Sequence, residues 1–387
     1  MKKRLSILLV VMMILSLAAC GEIAPPGKPN GIENPGTTSV IGSSQTGGPG
    51  SGESGKKIYY SYYAADHSSL NLLDNVDADC GTFAEYCMSY LYRSYPDENG
   101  SNYHYIPDLA SEMPRKMDGE GYVWQIPLRE DACWSNGEPI DADTWMFTFE
   151  QALNPAMAMR MSSFLSNNEI HIRNAEEYAA GNDAELTFAD VGIKKIDKYT
   201  LELTLAEPAD EKAICKHFNS RNNTPVYKPL WEDCLSADGT ETSYGSDIDS
   251  IMCCGPYNLT EWSYDSIQVY TRNPDHWLAG LFHYDEVQYR IVPEMNARIE
   301  LWEQGLLDIL KPDANTLEIY LSDPRLVNYG STTVYHIDIN AENPNNPLCG
   351  SDNYRKAIYH AIDRELIADR FFGHMQPAGW YVSEQAG

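Results

Sequence analysis

The apolar positions of this chain change period repeatedly along its length. Leu201, Leu203 and Leu205 alternate with Glu202 and Thr204, the period of a strand with one buried face. Ile267, Val269 and Thr271 repeat that spacing, as do Val287, Tyr289 and Ile291, and later Tyr335, Ile337 and Ile339. Two more strands are expected at 57–63, rich in Tyr, and at 122–128. Elsewhere the period lengthens. Phe83, Cys87 and Leu91 share one side of a helix over 82–91. Residues 353–371 predict one long amphipathic helix, with Ala357, Ile358, Ala361, Ile362, Leu366, Ile367 and Phe371 on its apolar stripe. Strands and helices interleaved in separate clusters, with no internal repeat, predict an α/β chain.

Local punctuation is densest between Trp134 and Trp145. Asn136-Gly137 supplies a tight turn with positive φ. Asp141 then fits a helix N-cap, with Thr144 three residues on. Trp145, Phe149, Ala152 and Leu153 line one face of the helix that follows.

The N-terminus reads as an address. Lys2, Lys3 and Arg4 precede an apolar run from Leu5 to Ala18, of signal-peptide length and short for a membrane span. Leu17-Ala18-Ala19-Cys20-Gly21 resembles a bacterial lipobox, which implies cleavage before Cys20 and lipidation of its thiol. The alternative is an ordinary secretory cleavage site followed by a cysteine. Residues 20–56 mix Pro, Gly, Ser and Thr, the composition of a flexible spacer that cannot bury enough surface to fold. Gly50, Gly52 and Gly55 match G-x-G-x-x-G in spacing, but no strand precedes them and no helix pattern follows.

Composition narrows the class. At 387 residues the chain can hold two or three domains. Its 56 acidic residues against 28 basic ones give a net charge of −28, a field that repels nucleic acid and anionic lipid. It carries 26 tyrosines, suited either to strands or to binding surfaces. Without Cys20, eight cysteines remain. An even number outside the cell permits disulfides without giving their connectivity, and buried free thiols are the alternative. Adjacent Cys253 and Cys254 cannot easily bridge each other. There is no C-x-x-C pair, no H-E-x-x-H and no G-x-S-x-G, so no metal site or catalytic residue is expected and a secreted hydrolase is disfavoured.

The segment Trp134–Trp145 resembles the signature of the bacterial extracellular solute-binding proteins of family 5, the peptide/oligopeptide/nickel group of ABC importers. Further blocks follow in family order. They include Ser68-Ser69-Leu70-Asn71, Ile106-Pro107-Asp108-Leu109-Ala110, Gly255-Pro256-Tyr257-Asn258-Leu259 and Arg272-Asn273-Pro274-Asp275-His276-Trp277. The late block pairs Tyr354-Arg355-Lys356-Ala357 with Ala361-Ile362-Asp363-Arg364-Glu365. Asn174 to Gly181 and Val191 to Thr200 resemble the oligopeptide-binding branch in particular. Trp134 and Trp277 are expected as core anchors rather than ligand contacts.

The resemblance implies an α/β, two-lobed, periplasmic-binding-protein-like (type II) fold with an extra domain. Mapped here, 1–19 is the signal peptide and 20–56 the lipid-anchored linker. Domain I takes 57–75 and 190–290, domain II 76–189, and domain III 291–387. Family members continue well past the position of Gly387, so the second lobe is expected to be incomplete, without the region that holds a peptide's N-terminal amine. The implied activity is capture of short peptides between the lobes, without cofactor or chemistry. Delivery goes to the permease and ATPase subunits of an importer. The implied protein is a monomer on the outer face of the cytoplasmic membrane, or in the periplasm, anchored at Cys20, with no nucleic-acid partner. By position, Asp77, Ala78 and Asp79 fall where relatives offer backbone to the peptide, and Met161 and Phe164 near a side-chain contributor. Alternatives with the same fold are a peptide-sensing receptor lipoprotein and another cargo, such as a nickel chelate, haem or a glycan.

Overall fold

The structure, a computed structural model, describes residues 37–42, 55–75, 77, 80–96, 103–330 and 336–371. The first part of the chain runs β1 (Thr37–Gly42), β2 (Ile58–Tyr63), α1 (Cys80–Cys87), β3 (Tyr92–Pro96), β4 (Tyr103–Pro107), β5 (Arg115–Lys116) and β6 (Val123–Pro127). The middle runs α2 (Ala142–Ala152), α3 (Ser162–Ser166), α4 (Ala175–Ala180), β7 (Ile193–Asp197), β8 (Thr200–Thr204), α5 (Glu211–His217) and α6 (Lys228–Asp233). Then come β9 (Tyr257–Ser263), β10 (Ile267–Arg272), β11 (Glu286–Ile291), α7 (Met295–Glu303), β12 (Ile309–Leu310), α8 (Ala314–Tyr320) and β13 (Leu326–Gly330). Two helices close the described chain, α9 (Asp352–Ala361) and α10 (Arg364–Phe371). No helix among the described residues is long and apolar enough to cross a membrane.

The chain divides into two compact units, residues 39–327 and residues 1–38 with 328–387. In the larger unit one sheet has the order β2-β11-β10-β9. Its β2 and β11 pair in parallel, Ile58 opposite Glu286 and Tyr63 opposite Ile291, so the ends of a long stretch of sequence lie side by side. A second sheet, β5-β6-β8-β7, is antiparallel. It joins β6 to β8, so the boundary expected at 189/190 passes between two hydrogen-bonded strands. In β8, Leu201 and Leu203 are buried while Thr200, Glu202 and Thr204 are half-buried, the period-2 pattern of the sequence.

β10 departs in part from its expected face, although Val269 is buried as expected. Gln268 and Tyr270 are fully buried, whereas Ile267 and Thr271 are only half-buried. The buried amide is satisfied. Gln268 Nε2 donates to Asp66 Oδ1 at 3.0 Å, and Gln268 Oε1 accepts from the Tyr270 hydroxyl at 2.6 Å. A hydrogen-bonded glutamine can face a core at little cost, and a hydrophobicity pattern cannot register that.

Much of the tyrosine content is core. Tyr63 stacks on Tyr289 at 4.4 Å, and the Tyr86 ring from α1 packs against Tyr257, Tyr270 and Tyr289 of the sheet. Such aromatic pairs add about 0.5–1.5 kcal/mol each beyond the area they bury. One continuous core runs from Leu70 to Val287, and a smaller one gathers Trp302, Leu307, Leu310 and Tyr320.

At the start of α2 the expected cap is present. Asp141 Oδ1 accepts from the N–H groups of Asp143 and Thr144, and Thr144 Oγ1 accepts from Asp141 N. Trp145, Phe149, Ala152 and Leu153 are all buried below that cap. Asp141→Ala is expected to cost about 1 kcal/mol, read as a lower urea midpoint at unchanged slope.

Three expectations change. Within the segment read as a structureless spacer, Thr37–Gly42 forms β1 and pairs Ile41 with Leu310. Its β-branched run was masked by the Gly and Pro around it. The expected strand through Tyr335, Ile337 and Ile339 is irregular over 336–340, with Ile337 exposed; period 2 marks a face but supplies no neighbouring strand. The helix expected over 353–371 is two helices in the smaller unit. Asp363 Oδ1 accepts from Leu366 N at 2.9 Å and Ile362 is extended, so a new helix starts where one was to continue. Its stripe is open, with Leu366 and Ile367 exposed.

Candidate functional site

Three segments of the larger unit converge around the expected ligand-contacting residues, and their main-chain acceptors hold them together. The first begins at the Ser68–Asn71 block. Ser69 Oγ accepts from Asn71 N at 3.1 Å, and Asn71 Oδ1 accepts from Leu73 N at 3.1 Å, the side-chain turns typical of Ser and Asn. Leu70 N donates to Gly245 O at 2.7 Å. Gly245 has φ +76°, and a Cβ there would stand 2.5 Å from Asn71 N, so only glycine allows this approach.

The second segment is the approach to α3. Met161 N donates to Leu73 O at 3.2 Å. Arg160 grips the Asp74 carboxylate as a fork, Nε to Oδ1 and Nη2 to Oδ2, both at 3.0 Å. The third segment follows α5. Asn222 Nδ2 donates to Leu72 O at 2.7 Å, Arg221 Nη1 to Asp77 O at 2.7 Å, and Asn223 Nδ2 to both Phe164 O at 3.2 Å and His217 O at 2.7 Å.

Met161 and Phe164 are both half-buried at this junction. Asp77 is also half-buried, but its N–H donates to Asn75 Oδ1 at 2.6 Å and its C=O accepts from Arg221. Its main chain is thus engaged inside the protein, and its carboxylate meets His67 Nδ1 at 3.3 Å. Ala78, Asp79 and Cys20 lie outside the described residues.

Under this junction sits His217, fully buried, with neither ring nitrogen hydrogen-bonded among the described residues. Burial pushes its pKa down to about 3, and the nearby Leu165 backbone only partly offsets this. Its ring packs edge-on against Phe218 at 4.8 Å.

The signature blocks prove to be framework. Trp134 N donates to Glu138 O and Gly137 N to Trp134 O, both at 2.8 Å, closing the turn in which Gly137 has φ +86°. Asn136 Nδ2 donates to the Tyr227 hydroxyl at 2.9 Å, and the Trp134 ring meets Tyr227 edge-on. Trp134 is buried as expected. Trp277 is half-buried and anchors by polarity, its Nε1 donating to Asp108 Oδ1 at 2.8 Å. Asp108 Oδ2 accepts from Tyr90 N and Arg93 Nε, each at 3.1 Å. Two blocks far apart in sequence therefore meet at one fully buried carboxylate. Beside it, His276 Nδ1 accepts from Leu278 N at 3.1 Å, so Nε2 carries the proton and donates to Ser89 Oγ at 3.0 Å. Burial, then Arg93 and Arg129, push the His276 pKa down to about 3.

Cys87, Cys133, Cys215, Cys234, Cys253, Cys254 and Cys349 are thiols. The one described group of metal-ligating types, His67 with Asp77 and Cys80, was not marked by any motif spacing.

The fold is that of the OppA-type periplasmic binding proteins. The chain belongs to the bacterial extracellular solute-binding proteins, family 5, whose middle region its residues 104–386 match. It is similar to the dipeptide-binding protein DppE of Bacillus subtilis, 26% identical over 270 residues, which cover 69% of this chain and 46% of DppE. It is 25% identical over 276 residues to the periplasmic oligopeptide-binding protein OppA of Salmonella typhimurium, with the same shares covered. Among solved structures, Listeria monocytogenes OppA bound to peptide aligns with a TM-score of 0.70 at 23% identity, covering 82% of this chain and 58% of that one. The chain spans about half the length of the curated relatives it matches.

Proposed function

We propose that this chain captures short peptides as the substrate-binding component of an ABC importer, binding them without hydrolysis. The observation that carries the reading is the family match over 104–386, with relatives named for dipeptide and oligopeptide binding. The peptide lies between two lobes, 57–75 with 190–290 on one side and 291–387 on the other, with 76–189 as the extra domain. It pairs its backbone with a protein strand, a mode that is blind to side chains. Ala78 and Asp79 offer backbone, and Met161 and Phe164 offer side chains. Closure about the hinge buries the ligand and presents the closed form to the permease. A lipid on Cys20 holds the protein at the outer face of the membrane.

The test is incubation of the protein with a defined pool of short peptides, followed by gel filtration and mass spectrometry. Retention of intact peptides is expected. Cleavage products, or no peptide retained, would overturn the reading. For the anchor, Cys20→Ser is expected to move the protein from the membrane fraction to the soluble fraction in an expressing cell. Unchanged membrane retention would remove the lipid from the proposal.

A further inference from the structure

The binding fold leaves one polar cluster without a role. His67 and Cys80 are buried, and the Asp77 side chain beside them is 36% exposed. Asp77 Oδ2 lies 3.3 Å from His67 Nδ1, Cys80 Sγ lies 3.6 Å from that same nitrogen, and one ligand atom from each residue falls within 4.8 Å of the others. Sulfur and carboxylate both face Nδ1. A catalytic relay would use the two ring nitrogens in series, and here both partners crowd one of them. The Cys80 thiol also donates to Ser69 O at 3.3 Å, and a cation that takes the place of its proton can serve all three groups. His67 Nε2 is buried with no partner among the described residues, a position that costs about 1–3 kcal/mol and must be offset by what holds the ring.

We propose that His67, Asp77 and Cys80 bind a borderline-soft divalent transition-metal ion of the zinc type. Bond lengths of about 2.0–2.2 Å to N and O and about 2.3 Å to S, at tetrahedral angles, put N and O about 3.3–3.5 Å apart and N and S about 3.6 Å apart. The separations of 3.3 and 3.6 Å in the structure match those two edges, and the third, between the Asp77 oxygen and Cys80 Sγ, is held within 4.8 Å. The donor set, one imidazole, one thiolate and one carboxylate, suits zinc over magnesium or calcium, which take oxygen alone. Three protein ligands leave a fourth position for water, reached past the partly exposed Asp77.

The surrounding groups already orient the chelate, as metal sites require. Asn75 Nδ2 donates to Cys80 Sγ at 2.9 Å while Asn75 Oδ1 accepts from Asp77 N. Arg221 holds the Asp77 carbonyl, and Asp66 Oδ1 accepts from His67 N at 2.8 Å. Cys80 opens α1, and a helix N-terminus favours the thiolate that an ion needs. The site ties the loop after β2 to α1 and asks nothing of a peptide ligand.

The probe is Co²⁺, titrated under reducing conditions into the metal-free full chain, and then displaced by Zn²⁺. One equivalent is expected, with a sulfur-to-cobalt charge-transfer band. Cys80→Ser abolishes the band, His67→Gln and Asp77→Asn each weaken binding at least about tenfold, and Asn75→Ala weakens it by about 10–100-fold. Cys349→Ser keeps the band. Absence of a band in the wild type, or a band undiminished in Cys80→Ser, overturns the site. Should Cys80→Ser fail to fold, X-ray absorption of the zinc-loaded wild type decides. One sulfur in the first shell supports the proposal, and a shell of nitrogen and oxygen alone, or of several sulfurs, rejects it.

Discussion

Asp108→Ala is expected to lower the stability of the larger unit by about 3 kcal/mol or more. The carboxylate is fully buried and accepts three hydrogen bonds, from Tyr90 N, Arg93 Nε and Trp277 Nε1. Its loss strands a buried guanidinium and an indole N–H. Breaking a buried pair from one side costs about 3–5 kcal/mol, because a charge is left uncompensated. Glu85 Oε2 still accepts from Arg93 Nη1 at 2.6 Å, which places the cost toward the lower end. Asp108→Asn keeps the volume and one acceptor and should lose less. Urea unfolding at unchanged slope measures both. A loss below about 1 kcal/mol for the alanine variant, the worth of an ordinary exposed pair, would show that this node is not a support.

Acidification from pH 7 to pH 5 is the second large effect. His217 and His276 each have a folded pKa pushed down to about 3, both chiefly by burial. A folded value below the unfolded value of about 6.5 means the unfolded chain binds more protons across that window. The stability is therefore complete above about pH 6.5 and drains away as pH falls toward 3. Each histidine should give up about 2 kcal/mol by pH 5. That range lies above the ordinary carboxylate titration, so relief of the −28 net charge does not yet intervene. Thermal melts at pH 7, 6 and 5 measure the slope. His217→Phe, which removes two buried unpartnered nitrogens, should take away about half of it. An unchanged slope in that variant would mean His217 is already protonated when folded.

The fold class was open to reading because its signals are local. The Asp141 cap, the Asn136-Gly137 turn and the alternation in β8 each act within a few residues, and each stands in the structure as expected. Where tertiary partners decide, the sequence misled. Gln268 faces the core because Asp66 and Tyr270 meet it there. Asp363 reads equally well as part of a helix or as its cap, and the hydrogen bond to Leu366 N settles which. The junction around Met161 and Phe164 is drawn together by Asn and Arg side chains reaching main-chain carbonyls, contacts with no periodic trace. The His67, Asp77 and Cys80 cluster has a spacing shared with no common ligand motif, so only folding brings it to notice.

The parallel pairing of β2 with β11 sets a timetable for folding. The flanking residues Lys57 and Asp285 are 228 positions apart, and β2 gains its full partner only after Ile291 has emerged. At ribosomal rates of about 5–20 residues per second, that wait is roughly 10–50 s. For that interval an edge of four tyrosines and an isoleucine is open to any strand it meets. β2, among the first segments made, is therefore among the last to be paired in its sheet.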